Sequence, residues 1–167
     1  MESKVKRTKT PQQATTALMN LCARAERSSG DALRLMRGWG LADADAREVL
    51  ARLQRERFID DSRYATAFVR DKMRLAGWGA YKVAMALRAK GVSRDIIDEA
   101  LREVDGDEVR ERLVALLARR AKSIKGTSAA DVRAKLLRFA ASRGYEYGLV
   151  RECVEQLIED NDAEVMF

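Results

Sequence analysis

Apolar residues recur at intervals of three and four positions from residue 14 almost to the end of the chain, with polar and charged residues between them. This spacing is typical of amphipathic α-helices. Glycines interrupt the pattern, whereas the one proline, Pro11, precedes it. The chain is also rich in Ala, Leu, Arg and Glu, which are strong helix formers. The sequence therefore predicts an all-α protein.

Three of the glycines, Gly40, Gly91 and Gly144, stand where helices are expected to end. Glycine readily adopts the left-handed conformation that terminates a helix, and cations favour the negative end of the helix dipole. Arg88 and Lys90 fit this pattern because they lie in the last turn before Gly91. We therefore expect each of the three glycines to follow the second helix of a structural unit.

Alignment on the three glycines reveals an internal repeat. Apolar residues recur at the same distances after each glycine, and four of the five positions lie on one helical face. The aligned residues are Leu41, Val92 and Tyr145; Ala46, Ile97 and Val150; Val49, Ala100 and Cys153; Leu50, Leu101 and Val154; and Leu53, Val104 and Leu157. The repeat predicts three tandem copies of one helical unit.

Each copy is predicted to contain three helices, at 14–28, 30–38 and 43–57, then 61–76, 79–90 and 93–104, then 107–124, 129–143 and 146–159. The corresponding modules are 14–58, 59–105 and 106–160. Residues 1–13 are expected to form a disordered basic tail and residues 161–167 an acidic tail. Because a module of this size buries a thin core, the three are expected to stack in an elongated array.

Composition excludes several kinds of chemistry. The chain has no histidine, so histidine-based catalysis and histidine metal sites are ruled out. Cys22 and Cys153 fit no zinc-binding spacing and are predicted to be buried thiols. No apolar stretch approaches the roughly 18 residues of a membrane span. We expect a cytoplasmic monomer that uses no metal or cofactor.

Charge is distributed unevenly along the chain. The total is 32 basic minus 26 acidic residues, or +6. Residues 107–143 carry ten basic and four acidic side chains, whereas residues 144–167 carry one basic and seven acidic. Such polarity indicates a charged partner surface, although solvated helix faces remain the alternative.

Asp60 and Asp61 raise the question of a catalytic or metal-binding pair. Adjacent residues on a helix do not face each other, and no third carboxylate lies nearby at a metal-ligand spacing. Asp60 instead suits the N-cap of the helix that follows, with Ile59 and Tyr64 placed for a hydrophobic staple. Asp61 would add favourable charge to the first turn. We therefore interpret the two carboxylates as structural.

The same helix predicts a basic surface. Arg63, Arg70 and Arg74 lie together opposite its apolar side, and we call them the arginine stripe. Lys72 falls towards the apolar side and would have to extend past it to reach solvent. A stripe of this kind suits a phosphate backbone or an acidic protein groove, and also an ordinary solvated face.

The third copy holds the largest concentration of basic residues, in "LARRAKSIK" (117–125) and the helix after it. The acidic segment that follows is expected to cover part of this surface. Trp39 and Trp78, each flanked by glycines, could stack on a partner but are expected to fill gaps between helices. The candidate partner-binding residues are Arg63, Arg70, Lys72, Arg74, Lys82, Arg88, Lys90, Arg119, Arg120, Lys122, Lys125, Arg133, Lys135 and Arg138.

The segment "FIDDSRYATAFVRDKMRLAGWGAYKVAMALRAKGVSRDIIDEAL" (58–101) resembles the central part of the RecX family of bacterial recombination regulators. The residues that carry the resemblance are Phe58, Ile59, Asp60, Asp61, Arg63, Tyr64, Ala65, Gly77 or Gly79, Leu87, Lys90, Gly91 and Val92. Residues 24–40 resemble the family's first third more loosely, with Trp39-Gly40 where the family commonly has Lys-Gly. Residues 107–159 match mainly in helical pattern and charge.

This resemblance implies tandem three-helix modules that bind the RecA recombinase filament on single-stranded DNA. It implies inhibition of strand exchange, of ATP hydrolysis and of co-protease activity, without catalysis by the chain itself. A basic module acting chiefly on single- or double-stranded DNA is the alternative, since three-helix units also read DNA. An enzyme is disfavoured because no base, nucleophile or metal cage is recognisable.

Overall fold

The computed structural model describes residues 8–125 and 128–165, in which every regular element is an α-helix. The helices follow one another in three groups of three, so the predicted all-α fold of tandem three-helix modules is confirmed. Residues 1–7, which make up most of the predicted basic tail, lie outside the described residues.

The first module contains α1 (Pro11–Arg24), α2 (Ser29–Gly38) and α3 (Asp43–Arg55), and α3 packs on both others. Helix α1 begins three residues before its predicted start, within the predicted tail. Thr10 explains the difference, since its side chain accepts a hydrogen bond from Gln13 N while the Gln13 side chain caps Thr10 N.

The second module contains α4 (Asp61–Arg74), α5 (Ala80–Ala89) and α6 (Arg94–Arg102). Each helix ends one or two residues before its predicted end. The last predicted residues form the turns in which Leu75, Ala76, Lys90 and Val104 donate backbone hydrogen bonds to the final carbonyls.

The third module contains α7 (Gly106–Ser123), α8 (Ala129–Ser142) and α9 (Tyr147–Val165). Helices α7 and α8 both pack on α9. Helix α9 is longer than predicted, because residues 161–165 of the predicted acidic tail continue it. Residues 166 and 167 lie outside the described residues.

The repeated apolar positions form the cores, as the sequence predicts. At the first three aligned positions every residue in all three copies is buried, from Leu41, Val92 and Tyr145 onward. At the last position Leu53 is buried, whereas Val104 and Leu157 are partly exposed. The face shared by the three copies is therefore the face that packs inward.

The three aligned glycines adopt the left-handed backbone conformation. Their φ angles are +80° at Gly40, +79° at Gly91 and +83° at Gly144. Residues with a side chain rarely adopt this backbone conformation, which explains why glycine follows the second helix of each module.

The chain divides into two compact units. Unit 1 comprises Met1–Ala67 with Leu87–Asp98, and unit 2 comprises Phe68–Ala86 with Glu99–Phe167. The boundary passes through α4, α5 and α6. Unit 1 therefore contains the first module with part of the second, and unit 2 contains the third module with the rest of the second.

Within each unit, a glycine of one module touches a glycine of the next. A Cβ atom on Gly30 would lie 2.2 Å from the carbonyl oxygen of Lys90 and 2.7 Å from Gly91 Cα. A Cβ atom on Gly79 would lie 2.4 Å from the carbonyl oxygen of Gly144. Only glycine permits these approaches, which we call the Gly30–Gly91 contact and the Gly79–Gly144 contact.

In the described part of the chain, no helix combines the length and apolar character that crossing a membrane requires.

Candidate partner-binding surface

Asp60 caps helix α4, as predicted. Its carboxylate accepts a hydrogen bond from Arg63 N at 3.0 Å, and its carbonyl accepts one from Tyr64 N at 2.9 Å. These bonds satisfy backbone donors that the first turn of a helix leaves unpaired.

Asp61 also binds the start of α2, a contact that the sequence did not reveal. Its Oδ1 accepts a hydrogen bond from Ser29 N at 2.8 Å, and its Oδ2 accepts one from the Ser29 hydroxyl. Ser29 is the first residue of α2, so Asp61 places its charge at the positive end of that helix. The two adjacent carboxylates thus serve different helices. Among residues 8–125 and 128–165, no cluster of three or more His, Cys, Asp or Glu side chains is placed to hold a metal ion.

Two predicted contact residues of unit 1 are tied to neighbouring groups. Arg63 lies 2.7 Å from Glu26 through Nε and donates to the carbonyl of Arg57 at 3.1 Å. The hydrogen bond to Glu26 raises the pKa of Arg63. Lys90 lies 3.7 Å from Asp31. The arginine stripe is therefore smaller than predicted on the unit 1 part of α4.

The other two arginines of the stripe lie in unit 2 and remain more than half exposed. Arg70 Nε is 3.2 Å from Asp71, and its side chain is 60% exposed. Arg74 Nε is 3.5 Å from Glu108, and its side chain is 57% exposed. Pairs as exposed as these are weak, so both guanidinium groups can reach a partner.

Lys72 and Lys82 both approach Trp78. Their ammonium groups lie 4.9 and 4.5 Å from the centre of the Trp78 ring, and Lys72 also lies 5.6 Å from the Phe68 ring. The rings of Phe68 and Trp78 meet edge to face at 6.4 Å. We call these four residues the Trp78 cluster. Lys72 extends as predicted, over aromatic rings that attract its charge.

Across residues 8–125 and 128–165, the third module carries the largest set of cations without an ion pair. Glu155 forms an ion pair with Arg133, in which Arg133 Nε lies 2.7 Å from Glu155 Oε1 without the alignment of a hydrogen bond. Glu152 forms an ion pair with Arg110 at 2.9 Å. Through these pairs, the acidic C-terminal segment covers part of the basic surface, as expected. Arg120 lies over the Phe139 ring at 5.4 Å. Within the described residues, six of the predicted contact residues of this module are exposed and form no ion pair, and we call them the third-module cations: Arg119, Arg120, Lys122, Lys125, Lys135 and Arg138.

Comparison with known proteins places two of the modules in one family. Residues 60–101 match the second three-helix domain of RecX, and residues 107–154 match the third. The chain is 34% identical over 119 residues to the regulatory protein RecX of Prosthecochloris aestuarii, covering 71% of this chain and 76% of that protein. The chain belongs to the RecX family.

Other RecX proteins extend the comparison. Over 108 residues the chain is 33% identical to the regulatory protein RecX of Clostridium botulinum, covering 64% of this chain and 50% of that protein. The chain thus spans about half the length of some curated relatives. The crystal structure of RecX from Lactobacillus salivarius superposes with a TM-score of 0.81 at 20% identity, covering 88% of this chain and 96% of that one. The superposition on this crystal structure supports the fold.

The motif residues that resemble RecX are mostly buried or take part in helix capping, and Ile59 and Phe58 pack in the core of the first module. Ile59, Ala65 and Leu87 are buried, Phe58 and Tyr64 are partly buried, and Gly91 ends the turn after α5. Asp60 and Asp61 make the helix contacts described above. The RecX motif therefore reflects mainly packing and capping within the fold.

Three exposed apolar residues of unit 2 escaped the sequence analysis of this RecX chain. Leu75 is 85% exposed, Tyr81 62% and Met85 71%. The sequence of α5, "AYKVAMALRA", is apolar on nearly every side, and this pattern indicates that some of its apolar residues are exposed. A helix with Val83 and Leu87 buried on one side must leave Tyr81 and Met85 on the other.

Both cysteines of this RecX chain are free, and Cys153 is buried while Cys22 is partly buried. Burial raises the pKa of each thiol, so both hold their protons at neutral pH. Cys153 matches the predicted buried thiol, whereas Cys22 is less buried than predicted.

Proposed function

We propose that this chain binds the RecA recombinase filament on single-stranded DNA and restrains its strand-exchange, ATPase and co-protease activities. It does so by binding, without catalysing a reaction itself. The observation that carries this proposal is membership of the RecX family, supported by matches to two successive three-helix domains. The solved RecX structure from Lactobacillus salivarius shares the fold.

Binding alone suffices for such regulation. A ligand that favours one state of a filament shifts the filament towards that state by the difference between its two affinities. Modules joined in tandem also allow several weak contacts to act together, since the first contact raises the effective concentration of the next. The exposed cations of both units supply candidate contacts, with Arg88 in unit 1 and Arg70, Arg74 and the third-module cations in unit 2.

Co-sedimentation tests the proposal. The purified chain is mixed with RecA alone, with single-stranded DNA alone, and with RecA assembled on that DNA, at roughly physiological salt. We expect more of the chain to sediment with the filament than naked DNA retains. Equal retention by naked DNA and by the filament would contradict the proposal.

Mutation of the arginine stripe refines the test. Arg70→Ala combined with Arg74→Ala should weaken filament binding and leave the helical content unchanged, because both side chains are exposed. A matched control is Arg94→Ala combined with Arg102→Ala, two exposed arginines of α6 in pairs with neighbouring carboxylates. Unfolding of the Arg70/Arg74 variant would contradict the surface assignment.

Direct DNA binding is a second candidate function, favoured by the third-module cations. Cations without carboxylate partners can each displace a counterion from a phosphate backbone. For single-stranded DNA, the slope of log K against log salt changes by about 0.7 for each phosphate contact. Arg119→Ala combined with Lys122→Ala should therefore make the slope shallower by roughly 1.4 if both side chains contact phosphates. An unchanged slope would reject this use of α7.

A further inference from the structure

Tyr81 and Met85 form an exposed apolar face on α5. They are one helical turn apart, so their side chains share one side of the helix. With exposures of 62% and 71%, both lie largely in solvent. Tyr and Met are enriched at protein interfaces relative to the rest of protein surfaces. Large apolar side chains grouped in this way indicate a contact site more strongly than scattered ones.

The start of α5 is held firmly, which fixes the position of this face. Tyr81 N donates to the carbonyl of Gly144 at 2.9 Å, and Gly79 N donates to the carbonyl of Arg143 at 2.7 Å. The Gly79–Gly144 contact leaves no space between the two backbones. Because the backbone is already fixed, binding through this face needs little ordering of the main chain.

The surrounding charges favour a protein over a nucleic acid. Residues 68–86 carry four basic and one acidic side chain, a net charge of 4 − 1 = +3. Arg70 and Arg74 form weak, exposed pairs with Asp71 and Glu108, and Lys82 lies over Trp78, so none of these three cations is without a neighbouring group, although both arginines can still reach a binding surface. A phosphate backbone gains little from Tyr and Met side chains and prefers cations without partners. An apolar protein surface rimmed by carboxylates complements both the face and the positive charge around it.

We propose that Tyr81 and Met85 are the apolar anchor through which this chain contacts a protein surface of that kind. The inference rests on the proposed function, which supplies the recombinase filament as the protein partner. It separates two surfaces of unit 2, an apolar face on α5 for protein and the third-module cations for phosphates.

The test compares the wild type with Tyr81→Ala combined with Met85→Ala, and Met85→Gln serves as a second variant that keeps helix propensity. Tyr147→Ala is the matched control, because Tyr147 is 66% exposed and lies in the same unit on α9. Each protein is titrated against RecA assembled on single-stranded DNA and, separately, against naked DNA. Circular dichroism verifies that helical content is retained.

The double variant should bind the filament about tenfold or more weakly, as expected for loss of an interface anchor. Met85→Gln should lose part of that affinity, whereas Tyr147→Ala and naked DNA binding should be unchanged. Filament binding within twofold of the wild type would overturn the inference while leaving the proposed function intact. An equal loss on naked DNA would also overturn it. A wild type that does not bind the filament would overturn both.

Discussion

The two glycine contacts use the same backbone arrangement with different polar chemistry. In both, the carbonyl just before a left-handed glycine accepts a hydrogen bond from the start of another helix. Lys90 O accepts from the Ser28 hydroxyl at 2.7 Å in unit 1, and Arg143 O accepts from Gly79 N at 2.7 Å in unit 2. The close approach of the backbones is therefore the common element.

The difference lies in what surrounds each contact. In unit 1, Asp61 binds Ser29 at the start of α2, and Asp31 pairs with Lys90. In unit 2 the additional bonds have neutral or main-chain acceptors. Tyr81 N donates to Gly144 O at 2.9 Å, the Tyr145 hydroxyl to Gly77 O at 3.1 Å, and Arg143 to Ala76 O at 3.3 Å. Backbone fit is therefore common to both contacts, whereas among the described residues carboxylates reinforce only the first.

The largest predicted effect comes from filling either contact. Gly30→Ala and Gly79→Ala should each lower the free energy of unfolding by about 3 kcal/mol or more, because the added methyl group meets main-chain atoms that cannot turn aside. Equilibrium unfolding in urea measures the loss.

The matched control is Gly106→Ala. A Cβ atom there meets nothing within 4 Å, and Gly106 lies in the first turn of α7. This substitution should be neutral or stabilise by up to about 1 kcal/mol. Equal urea midpoints for Gly79→Ala and the wild type would show that the modules do not need the close approach.

Next in size is the loss of the Asp61 carboxylate. Asp61→Ala should cost about 1–3 kcal/mol, because Ser29 N and the Ser29 hydroxyl lose their acceptor. Asp60→Ala removes a single capping bond and should cost about 1 kcal/mol. The control Asp71→Ala removes an exposed carboxylate and should change stability little. If Asp60→Ala abolished filament binding at unchanged stability, the structural interpretation of these carboxylates would be wrong.

In unit 2, Tyr145→Phe should cost about 1 kcal/mol through the lost hydrogen bond to Gly77. It should also reduce the sensitivity of stability to alkaline pH. Burial raises the pKa of Tyr145, so the folded protein holds the phenol proton more tightly than the unfolded chain. That contribution is complete below the ordinary tyrosine pKa of about 10 and is lost as pH rises through the higher folded pKa.

The check is to unfold the wild type and Tyr145→Phe in urea between neutral pH and about pH 11. The free-energy difference between them should shrink above pH 10. Some alkaline sensitivity should remain in the variant, because burial also raises the pKa of Tyr64. A constant difference at every pH would contradict the burial argument for Tyr145.

The smallest effect is the response to salt. The amide of Ser29 donates to a carboxylate, whereas the amide of Tyr81 donates to a main-chain carbonyl. Salt screens interactions of exposed and partly exposed charges, so hydrogen exchange at Ser29 should accelerate with added salt more than exchange at Tyr81. Equal acceleration at both amides would remove the distinction between the two contacts.

Local rules recovered much of the fold from the sequence. The left-handed glycines and the inward face of the repeat depend on residues within one helix and its end, so their pattern is visible along the chain. The close approaches at Gly30 and Gly79 and the hydrogen bonds that Ser29 donates to Asp61 depend on residues 32 or more positions away, which periodicity does not report. Likewise, Arg63 belongs to the predicted stripe on its own helix, but its engagement with Glu26 is a tertiary contact.

The claim that this RecX-family chain restrains the recombinase is tested most directly by ATP hydrolysis. RecA is assembled on saturating single-stranded DNA at fixed salt, and the steady-state rate is followed as the chain is added. We expect a saturable decrease that excess single-stranded DNA does not reverse, with a weaker decrease for the Tyr81/Met85 double variant. An unchanged rate at concentrations where the chain occupies the filament would contradict this claim.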